Sequence, residues 1–280
     1  MSIEDRETIT CPCCDSSTSA FWAQENGYTA VKCSDCGLVY VNPRPREDII
    51  TEANKVGVHQ GDEGALDVTG HRNNSKVPYY SAILNEMFVR ERTEGKPLRW
   101  LDVGAGYGEF VEAVMSTMPA GTAAEGLEPM APKVKVAQSL GIPIDSRDLK
   151  DVGDGYDVIS LINVYSHIPN FDSFGRMLIE KLKPGGILFI ETGNVAALSR
   201  EQFPDILYLP DHMVFSSLPQ MRKIFDKLGL DLELHKELPI DNAMWCLKTL
   251  TKGLMRAQLN INLPGRSAFR TVFYKARLKS

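Results

Sequence analysis

The stretch LDVGAGYGEF, Leu101 to Phe110, decides how the chain folds. A short apolar run enters three glycines, Gly104, Gly106 and Gly108, and a helical pattern leaves them, so the segment reads as strand, turn, helix. Glycine accepts a left-handed backbone and lets a ligand lie against bare main chain, while the first turn of the helix offers free N–H groups. About twenty residues on, Gly-Leu-Glu-Pro places Glu128 at the end of a second strand, where a carboxylate can accept hydrogen bonds from both hydroxyls of a ribose.

Working outward, strands are expected at Leu98–Val103, Thr122–Leu127, Ile142–Ile144 and Tyr156–Asn163, and in Ile-Leu-Phe-Ile-Glu-Thr up to Thr192. Helices are expected at Glu109–Met118, Ala131–Leu140 and Phe171–Leu182, the last stopped by Lys-Pro-Gly-Gly at 183–186. This alternation predicts an α/β fold, a doubly wound, mostly parallel sheet with ligands at the carboxyl ends of its strands. A head to Pro45 carries the cysteines, and residues 46–97 form a connector. The connector reads as a helix around Arg46–Val56, a mobile Gly- and Asp-rich loop, and a helix near Pro78–Thr93. Tyr79, Tyr80 and Arg72 are placed either in a lid or, for the tyrosines, in the core.

Two cofactor classes suit the glycine loop. A dinucleotide fold wants a third glycine where Glu109 stands, and a carboxylate beside a pyrophosphate is a poor match. S-adenosylmethionine carries no phosphate, and its methionyl carboxylate can use the amides of the loop. LDVGAGYGEF, GLEP, YDVISLINVYSHIPN and LKPGGILFIET, in this order and spacing, resemble the class I S-adenosylmethionine-dependent methyltransferases over roughly 78–238. The resemblance implies a Rossmann-like methyltransferase domain, 98–241, in which Asp102, Gly104, Ala105 and Gly106 border the methionyl part and Glu128 the ribose. It further implies Met130 against the adenine face, Asp148 and Leu149 at the adenine edge, and Asn163 at the mouth, with Asp145 and Asp151 as alternatives to Asp148.

Methyl transfer from a sulfonium is an in-line displacement, so the protein must align the partners and, for a protonated nucleophile, supply a base. His167 follows the fourth strand at the carboxyl edge of the sheet, and Leu-Tyr-Leu-Pro-Asp-His-Met-Val-Phe-Ser-Ser brings Tyr208, Asp211 and His212 toward the same edge. His167, His212 and Tyr208 are the candidate catalytic residues. The Asn-Pro-Pro-aromatic sequence of amino-base methylating enzymes is replaced by Asn163-Val-Tyr-Ser, which argues against that class.

Five of the six cysteines fall in the first forty residues. Cys11-x2-Cys14 and Cys33-x2-Cys36 have the spacing of two zinc knuckles, and four thiolates close a tetrahedron with no open position, so the expected zinc is structural and Cys13 is spare. The head, 1–45, resembles the zinc ribbons that precede sugar-modifying and ribosomal-RNA-modifying methyltransferases, although the further C-terminal domain usual in sugar C-methyltransferases has no room here.

Net charge is −5 over 280 residues, which disfavours a nucleic-acid backbone as partner of the whole surface. The exception is 242–280, with eight Lys or Arg and no acid. A helix near 243–259 with Met244, Leu247, Leu250 and Leu254 on one face would carry Lys248, Lys252 and Arg256 beside it, suiting a solvated face, an anionic membrane or an anionic acceptor. With neither signal sequence nor spanning segment evident, a cytoplasmic location is expected. The leading expectation is a methyltransferase for a small molecule, a sugar or glycoconjugate hydroxyl, with RNA methylation and a non-catalytic cofactor-binding scaffold as alternatives. Oligomeric state is not encoded in any pattern recognised in the sequence.

Overall fold

A computed structural model describes residues 5–203, 205–240 and 267–279. Among these residues seven strands form the central sheet: β1 Arg99–Val103, β2 Ala123–Leu127, β3 Ile144–Asp145, β4 Tyr156–Ile162, β5 Leu182–Gly193, β6 Leu230–Pro239 and β7 Arg270–Leu278. Their order across the sheet is β3-β2-β1-β4-β5-β7-β6. The first five run parallel, and β7 is antiparallel to both of its neighbours, β5 and β6. The order reverses between β1 and β4, which opens a crevice at their carboxyl ends.

Alternation along the strands builds a core on each face, as a period of two requires. Leu101, Ile159, Leu161, Leu188, Ile190 and Tyr274 join one core; Trp100, Val158, Phe189 and Phe273 join the other. In the second, Phe189 stands 5.1 Å from Phe88 and 5.7 Å from Phe273, centroid to centroid. Tyr80, Ile83, Leu84, Met87 and Phe88 of the connector seal this side. The expected single helix there is two, Lys76–Met87 and Val89–Glu94, because Phe88 leaves helical geometry at φ −115° and ψ 33° while burying its ring.

Two expectations change. The mobile loop of the connector is in part an antiparallel hairpin, Val58–Gly61 with Gly64–Asp67. The basic C-terminal stretch is not wholly an appendage, since β7 lies inside it and pairs along β5 and β6. Two of its cations are also spoken for: Lys275 is buried against Glu91 at 2.8 Å, and Arg277 contacts Glu91 at 3.0 Å and also Glu233. The expected helix over 243–259 lies outside the described residues.

Among the described residues the head carries a sheet of three strands, Ser19–Glu25, Tyr28–Cys33 and Val39–Val41, beside a short pairing of Arg6–Glu7 with Arg44–Pro45, and the sheet gains a fourth strand from far along the chain. Val214–Phe215 pairs antiparallel with Val39–Val41, so the head and the methyltransferase-like body share a sheet. The next helix, Leu218–Lys227, is started by a capping box: Ser217 N–H and Oγ both donate to Gln220 Oε1. Gln220 Nε2 then donates to the carbonyl of Cys36, tying that helix to the second cysteine pair.

Candidate active site

A cavity of about 890 Å³ opens where β1 and β4 diverge. Asp102, Gly104, Ala105, Gly106, Glu128, Met130, Asp148, Leu149 and Asn163, the expected cofactor residues, all line it. Asp145 and Asp151 do not line the cavity, and Asp145 is occupied by Arg147. Gly104 has φ +75°, and a Cβ there would stand 2.4 Å from Val164, so the loop passes under the start of the segment after β4 with no room for a side chain.

Glu128 is buried and shapes the loop before it meets any ligand. Its Oε2 accepts from Gly106 N–H at 2.8 Å and its Oε1 from Met130 N–H at 3.0 Å. Each carboxylate oxygen retains a second lone pair, enough for two ribose hydroxyls. Asp102 is 1% exposed and accepts from Ser160 Oγ at 2.6 Å. Burial, aided by the negative charges of Glu128 and Glu191, pushes its carboxyl up to about 8 against the pull of Ser160. A carboxyl so placed gains from a neighbouring cation.

Across the cavity, His167 ends a short turn after β4, Tyr165–His167. Its Nδ1 lies 2.9 Å from Asp211 Oδ1 and 3.1 Å from the Asp211 carbonyl oxygen. Burial would raise Asp211, but the hydrogen bond with His167 and the nearby imidazoles hold it well below the ordinary carboxylate range. The His212 ring stands 4.5 Å from that of His167, and burial, reinforced by His167, pushes it down to about 3, so it is neutral at pH 7. Both histidines and Asp211 line the cavity. Tyr208 does not: it is 49% exposed, with φ +62°, and its ring centre is 6.0 Å from that of His212. Of the lid candidates, Tyr80 lines the cavity from the core, and Arg72 donates to the Tyr107 carbonyl at 2.7 Å and pairs with Glu112.

The sequence reading missed His59. It is 3% exposed on the connector hairpin, with Nε2 3.1 Å from Asp211 Oδ1, a close contact without hydrogen-bond alignment. The signal available was Gly61-Asp-Glu-Gly64 between two short runs, which marks a hairpin rather than a free loop.

The Sγ atoms of Cys11, Cys14, Cys33 and Cys36 lie within 4.8 Å of one another, with Cys11–Cys36 and Cys14–Cys33 each at 3.5 Å. Zinc–sulfur bonds of roughly 2.3 Å give tetrahedral edges of roughly 3.8 Å, so the four thiols fit that ion. The two knuckles repeat one geometry: Asp15 N–H donates to the Cys11 carbonyl at 2.9 Å, Gly37 N–H to that of Cys33 at 3.0 Å, and both donors have positive φ.

A sheet in this order, with a glycine loop, a strand-end acid and a histidine cluster around one crevice, defines an α/β protein of the methyltransferase type. Residues 72–235 match the Methyltransferase domain family, and the chain belongs to that family. The ubiquinone biosynthesis O-methyltransferase of Methylobacterium nodulans is 26% identical over 165 residues, 54% of this chain and 65% of that protein. The mitochondrial ubiquinone biosynthesis O-methyltransferase of Rattus norvegicus is 30% identical over 189 residues, 58% of this chain and 53% of that one. The chain therefore spans about half to two thirds of the length of these relatives. In fold it is similar to a Galdieria sulphuraria protein described as a sarcosine dimethylglycine methyltransferase, at TM-score 0.54 and 16% identity, covering 73% of this chain and 86% of the other. The family match begins after the cysteine head, which stands on its own geometry. Among the described residues no helix is long and apolar enough to cross a membrane.

Proposed function

We propose that the chain is an S-adenosylmethionine-dependent methyltransferase that methylates a hydroxyl oxygen of a small molecule, with a structural zinc in the head. The observation that carries the reading is the His167–Asp211 pair on the cavity wall facing the glycine loop. The cofactor, when bound, supplies an electrophilic methyl group. Asp102 and the main chain at Gly104–Gly106 would border the methionyl part, with Asp102 meeting its ammonium, Glu128 the ribose, and Met130, Asp148 and Leu149 the adenine. Asp211 fixes His167 with its proton on Nδ1, so Nε2 carries the lone pair that can take a proton from the acceptor hydroxyl as the oxygen attacks.

The acceptor half of the wall includes Ile50, Val164, Ile168, Pro169 and Phe174, an apolar surface suited to an aromatic ring. A phenolic hydroxyl, with a pKa of roughly 10, loses its proton to an imidazole far more readily than an aliphatic alcohol does. Both considerations favour a phenol over the sugar hydroxyl expected from sequence, and the relatives named for O-methylation in ubiquinone biosynthesis favour oxygen as the atom methylated. The test is incubation of the pure protein with methyl-labelled S-adenosylmethionine and a panel of catechols and of sugars. Label on catechol oxygen, lost in Glu128→Ala together with S-adenosylhomocysteine binding, is the expected result. Label on sugars alone, or cofactor binding indifferent to Glu128→Ala, refutes the reading.

A further inference from the structure

The turn of the head's first hairpin, Glu25-Asn-Gly-Tyr28, is far from the cysteines. Cys33 pairs with Ser19 at one end of the hairpin, and Asn26-Gly27 closes the other, about 20 Å away at the rise of a strand. Asn26 and Gly27 have φ +50° and +76°, the backbone of a two-residue turn that follows the twist of the strands. Such a turn needs no outside partner, yet this one has two.

The first partner is the loop that leads to Asp211 and His212. Glu25 Oε2 accepts from Leu207 N–H at 2.7 Å and its Oε1 from Leu209 N–H at 3.1 Å, and Asn26 Nδ2 donates to the Leu209 carbonyl at 3.2 Å. Between the two gripped amides sits Tyr208, a non-glycine residue at φ +62°, which persists only where its surroundings over-determine it. On the far side of Asp211, Met213 is held too: its N–H donates to the Ser166 carbonyl at 2.7 Å, and its own carbonyl accepts from Val41 N–H at 2.9 Å. The head thus fixes the loop on both sides of the carboxylate that meets His167.

The second partner is the hairpin that carries His59. Asn26 Oδ1 accepts from Glu63 N–H at 3.0 Å, its carbonyl accepts from Asp62 N–H at 3.1 Å, and its Nδ2 donates to Gly64 O at 3.3 Å. The two turns are in contact closer than side chains allow. A Cβ on Gly27 would fall 2.1 Å from the Asp62 carboxylate, and one on Gly61 2.2 Å from the Asn26 amide.

We propose that Glu25 and Asn26 are positioning residues of the acceptor site. They hold the loop that presents Asp211 to His167 and the hairpin that presents His59 to Asp211, so the head acts on the base and not on the cofactor half. This rests on the His167–Asp211 reading above. Removing the Glu25 carboxylate releases two amides and the left-handed residue between them, Asp211 moves, and His167 loses the acceptor that keeps its proton on Nδ1. None of these contacts touches the glycine loop or Glu128.

The test reads the imidazole directly by long-range nitrogen–proton NMR on the full chain, with S-adenosylhomocysteine affinity measured in parallel by calorimetry. In the wild type the His167 signals, assigned by their loss in His167→Ala, report the Nδ1–H tautomer. In Glu25→Ala and Asn26→Ala they move toward a tautomer mixture while S-adenosylhomocysteine affinity stays within twofold. Glu25→Gln, which keeps one acceptor oxygen and the side-chain shape, falls between wild type and Glu25→Ala. Unchanged His167 signals in these variants, or cofactor affinity falling in step with them, overturn the proposal. His167→Ala separates the two ideas: if it leaves methyl transfer intact, the dyad reading fails, whereas if it abolishes transfer and Glu25→Ala leaves the His167 tautomer unchanged, only the role of the head fails.

Discussion

Nδ1 of His167 is shared between the side chain and the main chain of one residue, Asp211, at 2.9 Å from Oδ1 and 3.1 Å from the carbonyl oxygen. A carbonyl only accepts, so the proton is on Nδ1 and the ring's basic nitrogen is Nε2. His167→Ala is expected to lower kcat by about 10²- to 10⁴-fold, the usual contribution of a positioned base, with cofactor affinity unchanged. Asp211→Asn should lose part of that factor, because a neutral amide no longer stabilises the imidazolium that forms, while the main-chain carbonyl still accepts from Nδ1. Steady-state kinetics with a labelled methyl group check both. A His167→Ala enzyme with most of its turnover intact would place the base elsewhere.

Asp102 is expected to make cofactor binding depend on pH. Below about 8 its carboxyl is mostly protonated in the free protein, while a bound ammonium favours the ionised form. Binding therefore releases a proton on the acid side, and affinity should fall as pH drops below that value, by at most about tenfold per unit. Above pH 8 the ligand's own α-amino group, with a pKa of roughly 8, loses its charge, so affinity should decline again. Calorimetry with S-adenosylhomocysteine in buffers of different ionisation enthalpy measures both the maximum near pH 8 and the proton released. Asp102→Asn should abolish the release, and a flat affinity between pH 6 and 8 would count against the pairing.

How much of this was written in the sequence depends on how local each signal is. The turn at Gly104 to Gly108, the strand ends at Asp102 and Glu128 and the helix breaks follow from near neighbours, and every cofactor residue inferred from the motifs lines the cavity. His59 escaped because nothing near it in sequence hints at Asp211; the contact exists only after the connector hairpin docks on the head. Val214–Phe215 is too short to show a period and is a strand only because the edge of Val39–Val41 is beside it. Tyr208, offered by its residue type and its neighbours, lies outside the cavity lining: its left-handed backbone sits between the two amides that Glu25 accepts from, and its ring is half in solvent.

The Lys275–Glu91 pair bears on stability. Lys275 Nζ is 2.8 and 2.9 Å from the two Glu91 oxygens and 3.1 Å from the Met87 carbonyl, and it lies over the Phe88 ring, all out of solvent. Against its burial, Lys275 and then Arg277 hold Glu91 below the usual carboxylate range. Lys275→Ala leaves a buried carboxylate short of its main partner, which costs about 3 kcal/mol or more. At about 2–4 °C per kcal/mol in a chain of this size, thermal unfolding should show a drop of at least roughly 6 °C. A depressed folded pKa contributes stability above the unfolded value and loses it as pH falls, so the gap between wild type and variant should narrow in acid below about pH 4. A gap that is constant with pH would mean that the loss is one of packing alone.

The head supplies the remaining prediction. Pure protein should carry one zinc per chain by elemental analysis, and Cys33→Ser should lose it, since Cys33 Sγ is one corner of the tetrahedron and its carbonyl anchors the second knuckle. Cys13→Ala should keep the metal, because that thiol, though buried in the same head, is not among the four converging sulfurs. Chelation should lower the melting temperature by more than a loose appendage would allow: the knuckle carbonyl of Cys36 accepts from Gln220, and Val214–Phe215 continues the head's sheet into the body. Thermal unfolding followed through the transition should then show one cooperative event with zinc and a lower, broader one without it. If chelation leaves the melting curve unchanged, the ion does not brace the body, and a Cys13→Ala protein without zinc would show that the wrong four sulfurs have been chosen.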